Sequence, residues 1–204
     1  MSGTEVVIMS FPRSGQQMMR MMVESVYRRY GIKFSYCAYY TECGCETTPC
    51  RGGGIFQKQH DLGLGRLSAN PLLKRKSEAP GEPIDQRYKY LVMYRNDLIT
   101  QLEAYFRFDM RKERGERWKK PFDYNDNEWL CGQLVEFIEK NKKYYLDFVK
   151  KWVNNGCSNC LTMEYGDVVS NPVDNMMRVL QFLKPEVDFD REAVSTVLGD
   201  RISL

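Results

Sequence analysis

Apolar residues open the chain as an unbroken run, Val6-Val-Ile-Met9 between Glu5 and Ser10, and return as Met18-Met19-Arg20-Met21-Met22-Val23. The first run reads as a buried strand and the second as the start of a helix, joined by the tight loop Phe11-Pro12-Arg13-Ser14-Gly15-Gln16-Gln17. The helix is expected over about 15–30, with Gly31 at its end. Ile55-Phe-Gln-Lys58, Tyr88-Lys-Tyr-Leu-Val-Met-Tyr94 and Cys160-Leu-Thr-Met163 carry β-formers and read as further strands. Asn96 or Asp97 suits the cap of a helix with Leu98, Leu102, Tyr105 and Phe106 at helical spacing. One long amphipathic helix is predicted over 127–154, its apolar face made by Leu134, Ile138, Tyr145, Phe148, Val149 and Trp152. A helix over 172–184 starts at Pro172 and stops before Pro185, and a short one follows over about 190–198. Residues 33–54 read as irregular structure, and the Gly-, Pro- and charge-rich 61–87 as a loop able to serve as a lid.

Strands alternating with helices predict an α/β fold, a three-layer sandwich with a central parallel sheet covered on both faces. In such sheets ligands bind beyond the carboxyl ends of the strands. The loop at Pro12, the strand end at Lys58 and the strand end at Arg95 then share one edge. A length of 204 residues suits a single domain, 1–204. The net charge of +3 is too mild for a nucleic-acid coat. No apolar stretch approaches the roughly 18 residues that span a bilayer. The first residues lack a basic leader, so the expectation is a cytoplasmic protein with no membrane partner.

Seven cysteines include Cys37, Cys43, Cys45 and Cys50 in one segment and the C-x-x-C of Cys157 and Cys160. An odd count without a signal peptide points first to reduced structural thiols, then to a local disulfide, then to a metal site. The basic stretch 111–120, broken by Pro121, reads as a solvated helix end or as a flap that attracts an anion.

The loop after the first strand has the chemistry of an anion site. Free N–H groups at a helix start point into it, and the helix dipole favours negative charge there. Arg13 adds a cation, Ser14, Gln16 and Gln17 add side-chain donors, and Gly15 lets a ligand approach the backbone. It is not a Walker A, because Gln16 stands where a Lys should follow the glycine.

Phe11-Pro12-Arg13-Ser14-Gly15 resembles the phosphosulfate-binding loop of sulfotransferases that use 3′-phosphoadenylyl sulfate (PAPS). Three more segments resemble that family in the same order: Lys58-Gln-His60 at a strand end, Arg95 at the next strand end, and Leu161-Thr-Met-Glu-Tyr165-Gly-Asp167 with the helix after it. The resemblance implies a P-loop NTPase-like fold, PAPS as co-substrate and PAP as product. It implies that His60 is the general base, that Lys58 and Arg13 stabilise the transferring group, and that Pro12, Arg13, Ser14, Gly15, Gln16 and Gln17 hold the 5′-phosphosulfate. Arg95 would bind the 3′-phosphate and Tyr165 pack near the adenine. Glu103 stands where the family has a Ser beside that phosphate, with Thr100 a possible substitute, and Arg201 is the only trace of a terminal basic loop. No metal is required on this reading, since the cations already supply positive charge. The expected partner is a small-molecule hydroxyl, such as an alcohol, a phenol or a natural product. A P-loop kinase and a degenerate nucleotide- or partner-binding module are the rival readings.

Overall fold

The computed structural model describes residues 5–37, 55–60, 84–114 and 128–202. Cys43, Cys45, Cys50, most of the expected lid and residues 115–127 lie outside them, as does the side chain of Arg201.

Five strands form one parallel sheet: β1 (Val6–Ser10), β2 (Tyr36–Cys37), β3 (Phe56–Gln59), β4 (Lys89–Tyr94) and β5 (Cys160–Glu164), in the order β2-β3-β1-β4-β5. Ile8 lies between Lys58 of β3 and Leu91 of β4, so β1 is flanked on both sides and every one of its residues is buried. That is why it reads as a continuous apolar run instead of an alternating one.

Side chains of β1 and β4 still alternate between two cores, as the pleat requires. Val6, Ile8, Leu91 and Met93 pack with α1 (Gln16–Arg29), α4 (Tyr165–Ser170), α5 (Pro172–Leu183) and α6 (Arg191–Ile202). Val7, Met9, Tyr90 and Val92 pack with α2 (Leu98–Arg114) and α3 (Glu128–Phe148). The result is the expected three-layer α/β sandwich. Each fully buried Ile, Leu or Val stabilises it by about 1.5–3 kcal/mol. No described helix is long and apolar enough to cross a membrane.

Three features depart from the expectation. The long helix changes hydrogen-bond register at its end, where a π-helical turn over Val149–Val153 closes with Asn154 N–H donating to Val149 O at 3.0 Å. This widening seats Trp152 against Tyr90, ring centroids 5.0 Å apart. The edge strand β2 holds only two residues, too few to leave a pattern. Tyr165–Asp167 is helical, because Glu164 caps α4 by accepting from Asp167 N–H at 2.9 Å.

Candidate active site

The β1–α1 loop is shaped by two left-handed residues, Arg13 (φ 70°) and Gly15 (φ 83°). A Cβ on Gly15 would stand 2.5 Å from Tyr165 Cδ2, so only glycine lets the loop lie against that ring. Arg13 has no such excuse, and a non-glycine residue there costs about 1–2 kcal/mol. Its exposed guanidinium lies 4.7 Å from the centre of the Phe108 ring on α2, which returns about 0.5–1 kcal/mol. Helix α1 then starts at Gln16 with no side-chain cap and no acid in its first turn. Its leading N–H groups and dipole face the loop uncompensated.

His60 follows β3 directly. Its Nδ1 donates to Ser10 O at 2.9 Å and lies 3.1 Å from Ser10 Oγ. A carbonyl can only accept, so Nδ1 carries the proton and Nε2 is left as the acceptor. Burial, together with the Lys58 charge, pushes the His60 pKa down to about 4, against the raising effect of the Ser10 carbonyl. The imidazole is therefore neutral at ordinary pH.

Arg95 directly follows β4, and its guanidinium stacks 4.0 Å over the Tyr165 ring. Its Nε is buried without a hydrogen-bond partner among the described residues. Pro12, Arg13, Gly15, Gln16, Gln17, Lys58, His60, Arg95 and Tyr165 line one pocket of about 280 Å³, together with Met18 and Phe108.

Two assigned donors face elsewhere. Ser14 is fully buried, and its Oγ donates to Gln101 Oε1 at 2.7 Å. Gln16 turns back on the sheet, with Nε2 donating to Ile8 O at 2.5 Å. Both therefore brace the loop, and Gln16 still contributes to the pocket wall. Glu103 is engaged by Arg107 one turn along α2, so its charge is already opposed. Thr100 is exposed and does not line the pocket.

Several participants went unseen in the sequence. Gln101 Nε2 donates to Pro12 O at 2.6 Å, so this one amide holds both sides of the loop. A signal existed: Gln101 is a polar residue on the stripe of Leu98, Leu102 and Tyr105. Tyr144 Oη donates to His60 O at 2.6 Å, and Tyr145 Oη reaches Arg95 O at 2.6 Å and Asn96 O at 2.9 Å. Burial, helped by Asp97, pushes the Tyr145 pKa up to about 12, so it remains a donor.

A larger pocket of about 380 Å³ opens at the other edge of the sheet. Three of its lining cations are already engaged: Lys89 by Phe182 O and Leu183 O, Arg87 by Asp85, and Lys184 by Glu5 and Glu186. Among the described residues, no group of three or more His, Cys, Asp or Glu is placed to hold a metal ion.

No protein-family model and no curated protein matches the chain. Solved structures do. The chain is similar to the mouse sulfotransferase SULT7A1 complexed with PAP, at 13% identity and a TM-score of 0.57, over 95% of this chain and 62% of that one. It is also similar to a sulfotransferase domain from the curacin biosynthetic pathway, at 15% identity and a TM-score of 0.47, over 94% and 77% of the two chains. The likeness to SULT7A1 shows a sulfotransferase fold. The chain spans 62% of the length of SULT7A1.

Proposed function

We propose that the protein is a sulfotransferase that moves the sulfuryl group of PAPS to the hydroxyl of a small molecule and releases PAP. The observation that carries this reading is the neutral His60, its Nδ1 committed to Ser10 O, lining one pocket with Arg13, Lys58 and an uncapped helix start. The residues suit the donor: backbone N–H groups of α1 for its phosphosulfate, Arg95 with its unpartnered Nε for the 3′-phosphate, and the Tyr165 face for the base.

In the reaction His60 Nε2 takes the acceptor's proton as the new O–S bond forms and the S–O bond to the departing PAP breaks. Lys58 and Arg13 hold positive charge beside the moving group throughout, which favours a transition state with charge spread over its oxygens. The acceptor is an alcohol or phenol, a natural-product hydroxyl included. The likeness to the PAP-complexed SULT7A1 supports the donor assignment through the shared fold.

Thermal unfolding with PAP and with ATP–Mg tests the nucleotide. At ligand a hundred times its dissociation constant, PAP should stabilise the protein by about 2.7 kcal/mol. Transfer of labelled sulfate from PAPS to an alcohol and phenol library tests the chemistry. Stabilisation by ATP–Mg alone, or PAP binding with no transfer to any acceptor, overturns the reading in favour of a kinase or a binding module.

A further inference from the structure

Sulfuryl transfer leaves unused a pair of thiols where β5 begins. Cys157 and Cys160 are both free. Cys160 N–H donates to Cys157 O at 3.2 Å, closing a turn over Ser158 and Asn159. Such a turn holds its two ends within about 7 Å, a spacing that overlaps the span of a disulfide. Both sulfurs lie within reach of Asn159 Oδ1, which the Cys157 and Cys160 thiols share.

Their surroundings differ. Cys157 is partly exposed, and Gln86 Nε2 donates to its sulfur at 3.4 Å. Its thiol also meets Asn159 Oδ1. Asn159 is itself anchored, with Nδ2 donating to Tyr88 O at 2.5 Å and to Asp85 O at 3.3 Å. Cys160 is the first residue of β5 and pairs with Tyr90, and both thiols pack against the apolar cluster on that face. Burial raises the Cys157 pKa, but donors from Gln86, Cys160 and the Asn159 backbone outweigh it and leave the thiol below its ordinary value. Burial, then the neighbouring Cys157, pushes Cys160 up. Two half-buried thiols at the ends of one turn, one ionising more readily than the other, have the division of labour expected of an attacking and a resolving cysteine.

We propose that Cys157-Ser-Asn-Cys160 is a redox-active dithiol that forms a reversible intrachain disulfide by exchange with a low-molecular-weight disulfide such as oxidised glutathione. The Cys157 thiolate attacks one sulfur of that disulfide, and the other leaves as a glutathione thiolate. Cys160 then gives its proton to solvent and attacks Cys157 Sγ, releasing the second glutathione. Two protein thiols are oxidised and one external disulfide is reduced, so no other oxidant enters. The inference is independent of the sulfotransferase reading.

The test is to equilibrate the full chain in graded mixtures of reduced and oxidised glutathione, alkylate the remaining thiols and map the peptides by mass spectrometry. The expected result is loss of two hydrogens from the peptide holding Cys157 and Cys160, at more reducing mixtures than those that glutathionylate the exposed Cys131, with reversal by dithiothreitol. In Cys160→Ser the reaction should stop with one glutathione on Cys157, and in Cys157→Ser residue 160 should stay unmodified. Full alkylation of both cysteines in mixtures that modify Cys131, or no adduct in Cys160→Ser, refutes the proposal. The wild-type experiment decides it even where a variant fails to fold.

Discussion

At His60 the environment works against the charged form, and this has two consequences with definite signs. The folded pKa, about 4, lies below the ordinary 6.5, so on acidification the unfolded chain takes up the proton first. Stability from this group is complete above pH 6.5 and is lost as the pH falls towards 4, by at most about 3 kcal/mol. Denaturant unfolding of wild type and His60→Gln across that window should show the wild type losing more. In catalysis, the acid limb of kcat/KM reports the free enzyme and should lie well below pH 6.5. The limb of kcat should sit higher, because a bound polyanion offsets the Lys58 and Arg13 charges that disfavour imidazolium. A kcat/KM limb at or above 6.5 contradicts a half-buried, neutral imidazole acting as the proposed base. Gly15 gives a second prediction. Gly15→Ala combines strain at φ 83° with a Cβ 2.5 Å from Tyr165, whereas Gly156→Ala has a similar φ of 66° and open space around it. Both should lose about 1–2 kcal/mol of backbone fit, but only Gly15→Ala should also lose PAP affinity in a binding titration. Gly15 was legible from its place in a tight loop before a helix, and His60 because the chain's one histidine stood at a strand end. The directions of Ser14 and Gln16 were not, since a hydroxyl or an amide turns towards whichever buried partner the tertiary fold supplies.

Helix α3 carries two adjacent tyrosines that reach two different loops. Tyr144 holds the carbonyl of His60, and Tyr145 holds those of Arg95 and Asn96. Replacing each by Phe keeps the ring contacts to Phe11, at 4.6 and 5.5 Å, and removes only the hydrogen bond. Tyr144→Phe should lower kcat about tenfold, one hydrogen bond's worth of placement, with KM for PAPS little changed. Tyr145→Phe should raise KM for PAPS with a smaller effect on kcat. Equal changes in both parameters for both variants would mean that the hydroxyls only stabilise the fold. The sequence showed α3 as one amphipathic helix, and its apolar periodicity was a sound guide to the element. It could not show which turn reaches over the sheet, nor that the helix end re-registers to seat Trp152. Helix α4 was missed for a related reason. Its cap is the acid Glu164 and its second residue is Gly166, where a Cβ would meet Glu164 Oε2 at 2.8 Å. Gly166 is thus the residue that leaves room for the cap.

Across the whole molecule, strand order is what converts scattered residues into a site. Residues 13, 60 and 95 are far apart in the chain, but β1 lies between β3 and β4, and all three strands run in parallel. Their carboxyl ends therefore deliver three loops to one edge, and β5 delivers Tyr165 beside them. Alternation of strands and helices announced this edge, but pairing order is a long-range property that no local pattern encodes. A nucleotide that binds here must touch several loops at once, so its stabilisation should spread over segments remote in sequence. Hydrogen exchange read by mass spectrometry should show PAP raising protection together in 11–19, 94–99 and 164–168, because bound ligand suppresses local opening of every segment it contacts. Peptides of the opposite edge, around Lys33 and 183–187, should be unchanged, since Lys89, Arg87 and Lys184 of that larger pocket are held by protein partners. Protection confined to 11–19 would indicate an anion seated on the helix start alone. Protection at the far edge would move the ligand to the other pocket and leave His60 without a donor.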